Sequence, residues 1–464
     1  MLTAARPRRA AAVLVLFGIA GACTFSREKL VFRQDVVPSL PAGTVGPLNV
    51  EEKLQRGYVP EVIAFLTGPE ARKVDPEKGA RLLLQAKLEA GDFVVAEGIA
   101  SRLLSRPLRM ETRAEVEWLR SQAAYWRGDF GSAARWAEAS RAAGRRVPEG
   151  WITFLRSGQS RRPYDGASAG ERSTLRFLYG RPNLVRLAVR VNGEAAVGMI
   201  LDSGASLSLL TEAAAARLGV EAVEGAVTPA RGLHQKEIPM RLGWARTVTL
   251  GTFTLHDVPF GILPNDSLTF ETETLGLFAP DGVIGVHLMK EFDWRIEIGE
   301  RRLHAIRLDR EIRRGGPDQA LFFRRMKPMV RVSFNRQPWS LFLLDTGSEP
   351  TMVTREGLVA NQYISYEPSA PITLEGIGKT RVSWSKVSDI TLGIGRWAVW
   401  FKNLVVNEGG DAIGDGIVGM SFLSLFDLEL RFSRMTLSLE KAGTSRRSPE
   451  FSFEPPPRQP PPPL

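Results

Sequence analysis

A tetrapeptide of one kind occurs twice in this chain, each time at the end of an apolar run: Asp202-Ser203-Gly204-Ala205 and Asp345-Thr346-Gly347-Ser348. A signal that recurs in the same surroundings constrains a chain to fold as a repeat. Upstream of the first copy, Val185, Leu187, Val189 and Val191 alternate with other residues as in a half-buried strand, and residues 197–201 form a continuous apolar run. Upstream of the second, Val330, Val332 and Phe334 alternate, and residues 341–344 run straight into Asp345. An asparagine stands at the same relative place in each copy, Asn192 and Asn335.

The likeness continues downstream. Residues 281–285 read DGVIG and residues 415–419 read DGIVG, and Phe292-Asp293 and Phe426-Asp427 follow at identical distances. From Asp202 to the second motif is 79 residues, and from Asp345 it is 70, a difference that one loop deletion explains. The pattern is an internal duplication of a β-rich domain.

This combination resembles the aspartic proteases, which carry Asp-Ser/Thr-Gly at the active-site loop and an apolar-apolar-Gly segment passing behind it. Each unit is more similar to a retropepsin-type lobe than to a pepsin lobe. Residues 206–219, SLSLLTEAAAARLG, resemble the segment that follows the catalytic aspartate in bacterial retropepsin-like proteins. The resemblance covers roughly residues 176–441 and implies two all-β lobes in one polypeptide, 176–310 and 318–441, forming a pseudo-dimer. It implies Asp202 and Asp345 as the catalytic pair, with Ser203, Gly204, Ala205, Thr346, Gly347 and Ser348 completing the loops. Val283-Ile284-Gly285 and Ile417-Val418-Gly419 are expected to lie buried behind those loops in a structural role, with Asp281 and Asp415 capping turns.

The chemistry explains why two acids are needed. Peptide hydrolysis requires a water to lose a proton as it attacks, while the carbonyl oxygen gains charge and needs a hydrogen bond. Two adjacent carboxyls cannot both ionise easily, so they share one proton and supply a base and an acid side by side. The loops differ at their fourth position. The Ser348 hydroxyl is expected to donate to Asp345, making Asp345 the more ionised member and Asp202 the more protonated one.

Other segments of the β units carry weaker signals. Thr211 is an expected N-cap and Gly219 an expected stop for a short helix. Arg231-Gly-Leu-His234 and Glu375-Gly-Ile-Gly378 occupy the places of flaps, two of them being the retropepsin arrangement. No cofactor is implied. The four histidines are scattered and show no HExxH pattern, which argues against a metal site, and each is expected at the surface or in a flap.

Ahead of the β units, residues 1–22 read as a signal peptide: Arg6, Arg8 and Arg9, an apolar stretch too short for a comfortable membrane span, then small residues. Residues 19–23, IAGAC, resemble a bacterial lipobox and imply that Cys23, the sole cysteine, becomes a lipidated N-terminus, with 23–46 as a tether. That places the protein in a bacterial cell envelope, lipid-anchored, the outer membrane or periplasmic side being favoured; full secretion is the alternative. The formal net charge is +10, and removal of residues 1–22 with their three arginines leaves about +7, which suits an anionic membrane surface or an acidic partner; no basic cluster interleaved with aromatics points to nucleic acid.

Residues 47–160 change to helical periodicity. Gly57, Gly91 and Gly128 recur at intervals of 34 and 37 residues between Ala- and Leu-rich stretches, a pattern that resembles tetratricopeptide-type helix pairs. Such a domain docks a protein partner or substrate, or braces the lobes. Trp118, Trp126, Trp136 and Trp151 line a groove or, more commonly for aromatics at this spacing, belong to the core. Residues 161–175 are expected to be a linker, and 442–464 a Pro-rich disordered tail. The expectation is therefore a multidomain chain, an all-α helical repeat followed by two all-β lobes, acting on polypeptides as an aspartic endopeptidase. The alternative is a catalytically silent, peptide-binding scaffold lipoprotein, and a further one forms each active site between two copies of the chain.

Overall fold

The computed structural model describes residues 48–442 except 167–169, 179–182, 232–236, 269, 273–275, 309–318, 336, 361–366, 369–372, 376–383 and 408–412, together with the strands Phe17–Gly18, Thr24–Ser26 and Gln34–Pro38. Cys23, the tips of both expected flaps and the tail from residue 443 lie outside the described residues, as does most of the signal-like segment.

Seven helices come first: Val50–Gln55, Val59–Thr67, Pro76–Glu89, Phe93–Leu104, Met110–Trp126, Phe130–Ala142 and Glu149–Ser157. Their starts are written in the sequence. Asn49 and Glu52 form a reciprocal capping box, and the side chains of Asp75 and Asp129 accept from Lys78 N and Ser132 N, both at 2.9 Å. The recurring Gly57, Gly91 and Gly128 each sit just past a helix end with φ between 77° and 78°, the left-handed region that ends a helix and begins a turn.

Trp118, Trp126 and Trp151 are buried. Trp126 stacks on Phe323 at 4.7 Å, and a single apolar core runs from these helices into both β units, so this face braces the β part.

The first β unit is an eight-stranded sheet in which Glu237–Leu250 pairs both with Phe253–Leu263 and with Arg186–Val191, curling the sheet toward closure. The second unit curls in the same way, Trp384–Ile394 pairing with Trp397–Asn407 and with Lys327–Phe334. The repeated asparagines explain the match. Asn192 and Asn335 have φ of 54° and 44° at the hairpin that precedes each loop strand. Their N–H groups donate to Thr247 O and Thr391 O, both at 2.9 Å. Asparagine tolerates this left-handed turn better than most residues.

The units are joined by a shared antiparallel stretch of six strands, Arg172–Arg176, Arg302–Arg307, Phe292–Glu297, Phe426–Arg431, Thr436–Lys441 and Gln319–Arg324. At its centre Trp294 faces Leu430 and Ile296 faces Leu428, so the strands begun by the two Phe-Asp pairs meet each other. This symmetric seam turns the two units toward one another.

Two expectations need correction. Among the described residues of 161–175 the chain is anchored at two places: Tyr164 is buried with its hydroxyl 2.6 Å from Nδ1 of His287, and Arg172–Arg176 is a seam strand. Only Ser173 and Leu175 alternate inward there, too short a period-two signal to stand out among polar neighbours. His287 and His304 are buried, not surface residues. His287 sits in the first turn of Val286–Met289, right behind Gly285, where Tyr125 and Tyr164 enclose it. Burial drives its pKa well down and keeps it neutral.

Candidate active site

Asp202 and Asp345 each end an apolar strand, Glu194–Leu201 and Gln337–Leu344, and both are fully buried. The apolar-apolar-Gly segments hold them from behind. Asp202 N donates to Ile284 O and Asp345 N to Val418 O, both at 3.0 Å, while Val286 N and Met420 N return to Ala205 O and Ser348 O at 2.8 Å. Glycine is required at the crossing, since a Cβ on Gly285 would lie 2.4 Å from Leu207 O and one on Gly419 would lie 2.1 Å from Pro350 O. Asp415 Oδ2 accepts from Leu341 N at 2.8 Å, and Asp281 pairs with Arg217 at 2.6 Å, so both belong to the framework.

The inner oxygens of the aspartates are satisfied locally. Asp202 Oδ1 accepts from Gly204 N at 2.8 Å and Ala205 N at 3.0 Å, and Asp345 Oδ1 accepts from Gly347 N at 2.8 Å. The loops grip each other through their second residues. Ser203 N donates to Thr346 Oγ1 and Thr346 N to Ser203 Oγ, both at 3.0 Å. In turn Ser203 Oγ donates to Leu344 O and Thr346 Oγ1 to Leu201 O, both at 2.7 Å. Only a hydroxyl can accept and donate at once in this way, which is why Ser or Thr occupies the place.

The grip brings the acids together within one chain. A Cβ on Gly347 would lie 2.3 Å from Asp202 Cγ, so the second loop's backbone rests against the first loop's carboxyl. Apart from each other, the outer oxygens Oδ2 of both aspartates have no hydrogen-bond partner among the described residues. Burial raises the proton affinity of both. Asp202 lies well above the usual carboxylate range, through burial and then the charge of Asp345. Asp345 is pushed up to about 6 by burial and held from rising further chiefly by Lys327. Of the pair, Asp202 has the higher proton affinity, because the neighbouring charge of Lys327 opposes the rise most strongly at Asp345.

The expected hydrogen bond from the Ser348 hydroxyl to Asp345 is not among those of the described residues; Ser348 Oγ donates instead to Pro350 O at 3.0 Å. Glu349, which follows Ser348, reaches the first unit, accepting from Asn183 N and Nδ2 at 3.2 and 3.0 Å. Lys327 is the group that sequence reasoning missed. It stands as far before Asp345 as Leu184 stands before Asp202, so aligning the two repeats would have exposed a cation at an apolar position.

The aspartyl protease family matches residues 187–288, a segment holding the first loop and Val283-Ile284-Gly285. Among curated proteins nothing matches the chain. Of solved structures, the aspartic proteinase from Irpex lacteus is similar at 11% identity and a TM-score of 0.39, covering 58% of this chain and 97% of its own. A retropepsin-like aspartic protease from Rickettsia conorii is similar at 16% identity and a TM-score of 0.21, covering 31% of this chain and 94% of its own. The matched segment, with the duplicated loops and crossing segments around it, gives the β-rich part an aspartic-protease-like fold.

Proposed function

We propose that the chain is an aspartic endopeptidase in which Asp202 and Asp345 act as one catalytic pair within a single polypeptide. The observation that carries this is the reciprocal Ser203–Thr346 grip, which closes the two loops on each other around two buried carboxyls. In the reaction, ionised Asp345 takes a proton from the attacking water. Protonated Asp202 donates a hydrogen bond to the scissile carbonyl oxygen as it gains charge. A proton then passes from the pair to the leaving amine, and the C–N bond breaks. Two carboxyls end as they began, one protonated and one ionised.

The substrate class is an extended polypeptide. Glu221–Arg231 and Thr373–Glu375, the strands leading into the expected flaps, each pair with a short strand of the N-terminal region, so both edges accept added backbone. Anchoring through a lipidated Cys23 fits the lipobox-like residues 19–23. Cys23→Ser is expected to move the protein from the membrane to the soluble fraction, and unchanged fractionation would refute the anchor.

Purified full-length protein is incubated with a reduced, unfolded protein, with and without a pepstatin-type inhibitor. Asp202→Asn and Asp345→Asn are each expected to lower turnover by about 10²–10⁴-fold, the usual worth of general acid–base catalysis. Binding of unfolded protein without cleavage, in wild type and variants alike, would establish the scaffold alternative. Substantial activity left in either single variant would mean independent sites between copies of the chain.

A further inference from the structure

Lys327 places an ammonium where the first repeat has the hydrocarbon of Leu184, and it is 2% exposed. The strand register fixes its position. Met329 pairs with Leu343 and Val330 with Phe342, and continuing that ladder past Pro328 and Leu344 sets Lys327 opposite Asp345. In the first unit Leu187 pairs with Met199 and Arg186 with Ile200, which sets Leu184 opposite Asp202. Directly opposed residues of an antiparallel pair have Cβ atoms about 4.5–5.5 Å apart, so a lysine and an aspartate there are close enough for their charges to act on each other.

The turn before it pins the lysine. Arg325 and Met326, which connect Gln319–Arg324 to Lys327–Phe334, have φ of 48° and 62°. Both central residues of a two-residue hairpin turn then lie in the left-handed region, which normally calls for Asn and Gly. Strain of this kind persists where the surrounding structure fixes it, and here it delivers Lys327 as the first residue of its strand.

We propose that Lys327 is a positioning residue of the same site: an internal cation that keeps Asp345 ionised and so leaves the shared proton on Asp202. The inference rests on the protease reading above. The charged groups acting on Lys327 are Asp345, Asp202 and, from the turn, Arg325. Burial lowers the lysine's own pKa to about 8, and the two acids oppose that fall, so it remains charged at neutral and acidic pH. With Lys327 and Asp345 ionised and Asp202 protonated, the buried group is neutral as a whole, which a pair of acids sharing one proton is not.

The test compares pH profiles of kcat and kcat/KM for wild type, Lys327→Leu, which copies the first repeat, and Lys327→Arg. A unit charge about 5–6 Å away at an effective dielectric of about 20 changes a carboxyl's proton affinity by about 2 pH units. In Lys327→Leu the acidic limb, set by ionisation of Asp345, is expected to move up by about 1–2 units, with kcat falling more than KM changes. Lys327→Arg is expected to restore the limb. A lysine with a merely structural role would lower Tm in Lys327→Leu and leave the limb in place, and that outcome overturns the proposal. Lys327→Met, which keeps the chain length, replaces the Leu variant if that one does not fold.

A titration of ¹³C-carboxyl aspartate by NMR reads the same shift without turnover. If wild type cleaves nothing and Asp345 still titrates higher in Lys327→Leu, the lysine's effect stands and the protease reading falls. An unshifted Asp345 resonance overturns the lysine's role whatever the activity.

Discussion

Replacing Thr346 by Val deletes one hydroxyl and almost no volume, and so isolates the grip between the loops. Two hydrogen bonds are lost, Ser203 N to Thr346 Oγ1 and Thr346 Oγ1 to Leu201 O, while the reciprocal pair through Ser203 Oγ remains. Each bond is worth about 1 kcal/mol net, and stranding the buried Ser203 N–H costs about 1–3 kcal/mol more, so the change should cost roughly 3–5 kcal/mol. At roughly 2–4 °C per kcal/mol for a domain of 150–250 residues, Tm should fall by about 6–20 °C. Thr346→Ser keeps both bonds, gives up only a methyl group, and should cost about 1 kcal/mol. Thermal unfolding of wild type and the two variants at one pH, with turnover measured on the same samples, provides the comparison. The grip would be refuted as the device that unites the acids if Thr346→Val proved as stable and as active as Thr346→Ser.

Further outcomes follow from the same geometry. Gly347→Ala would drive a methyl group to 2.3 Å from Asp202 Cγ, and cleavage should be lost with a smaller loss of stability, read by turnover and unfolding together. Folding should weaken between about pH 4 and 6. The folded pKa of Asp345 is raised to about 6, so the folded state holds a proton that the unfolded chain has already released, and that stabilisation disappears as pH rises through the window. Urea unfolding across that range should show the slope in wild type and a reduced one in Asp345→Asn. Tyr164→Phe removes the bond to His287 beneath the helical region and should cost about 1–2 kcal/mol, with faster proteolysis at the junction between helices and β part.

Much of the site could be read in one dimension because the duplication compares the chain with itself. The loops, the crossing segments, the paired asparagines, the Phe-Asp strand starts and the Thr211-to-Gly219 helix are local signals that occur twice or carry their own caps. The interhelix glycines were equally legible, since a left-handed turn after a helix demands them. What failed was whatever needed a partner from elsewhere. Whether Ser348 would donate to Asp345 or to Pro350 depends on a rotamer set by the fold. Tyr164 and His287 looked polar and exposed until the helical region covered them.

The sequence by itself determined that two like units, each with one aspartate on a tight turn, had to be built. Period-two apolar runs and obligatory glycines impose that locally, whatever the rest of the chain does. Only the tertiary structure decided that the aspartates share one buried place and that they are not equivalent there. Proximity comes from the six-stranded seam and the crossed hydroxyls, and inequality comes from Lys327 standing across a ladder from Asp345 where Leu184 stands across from Asp202. Charge acts through distance, and distance between residues far apart in sequence is set by packing.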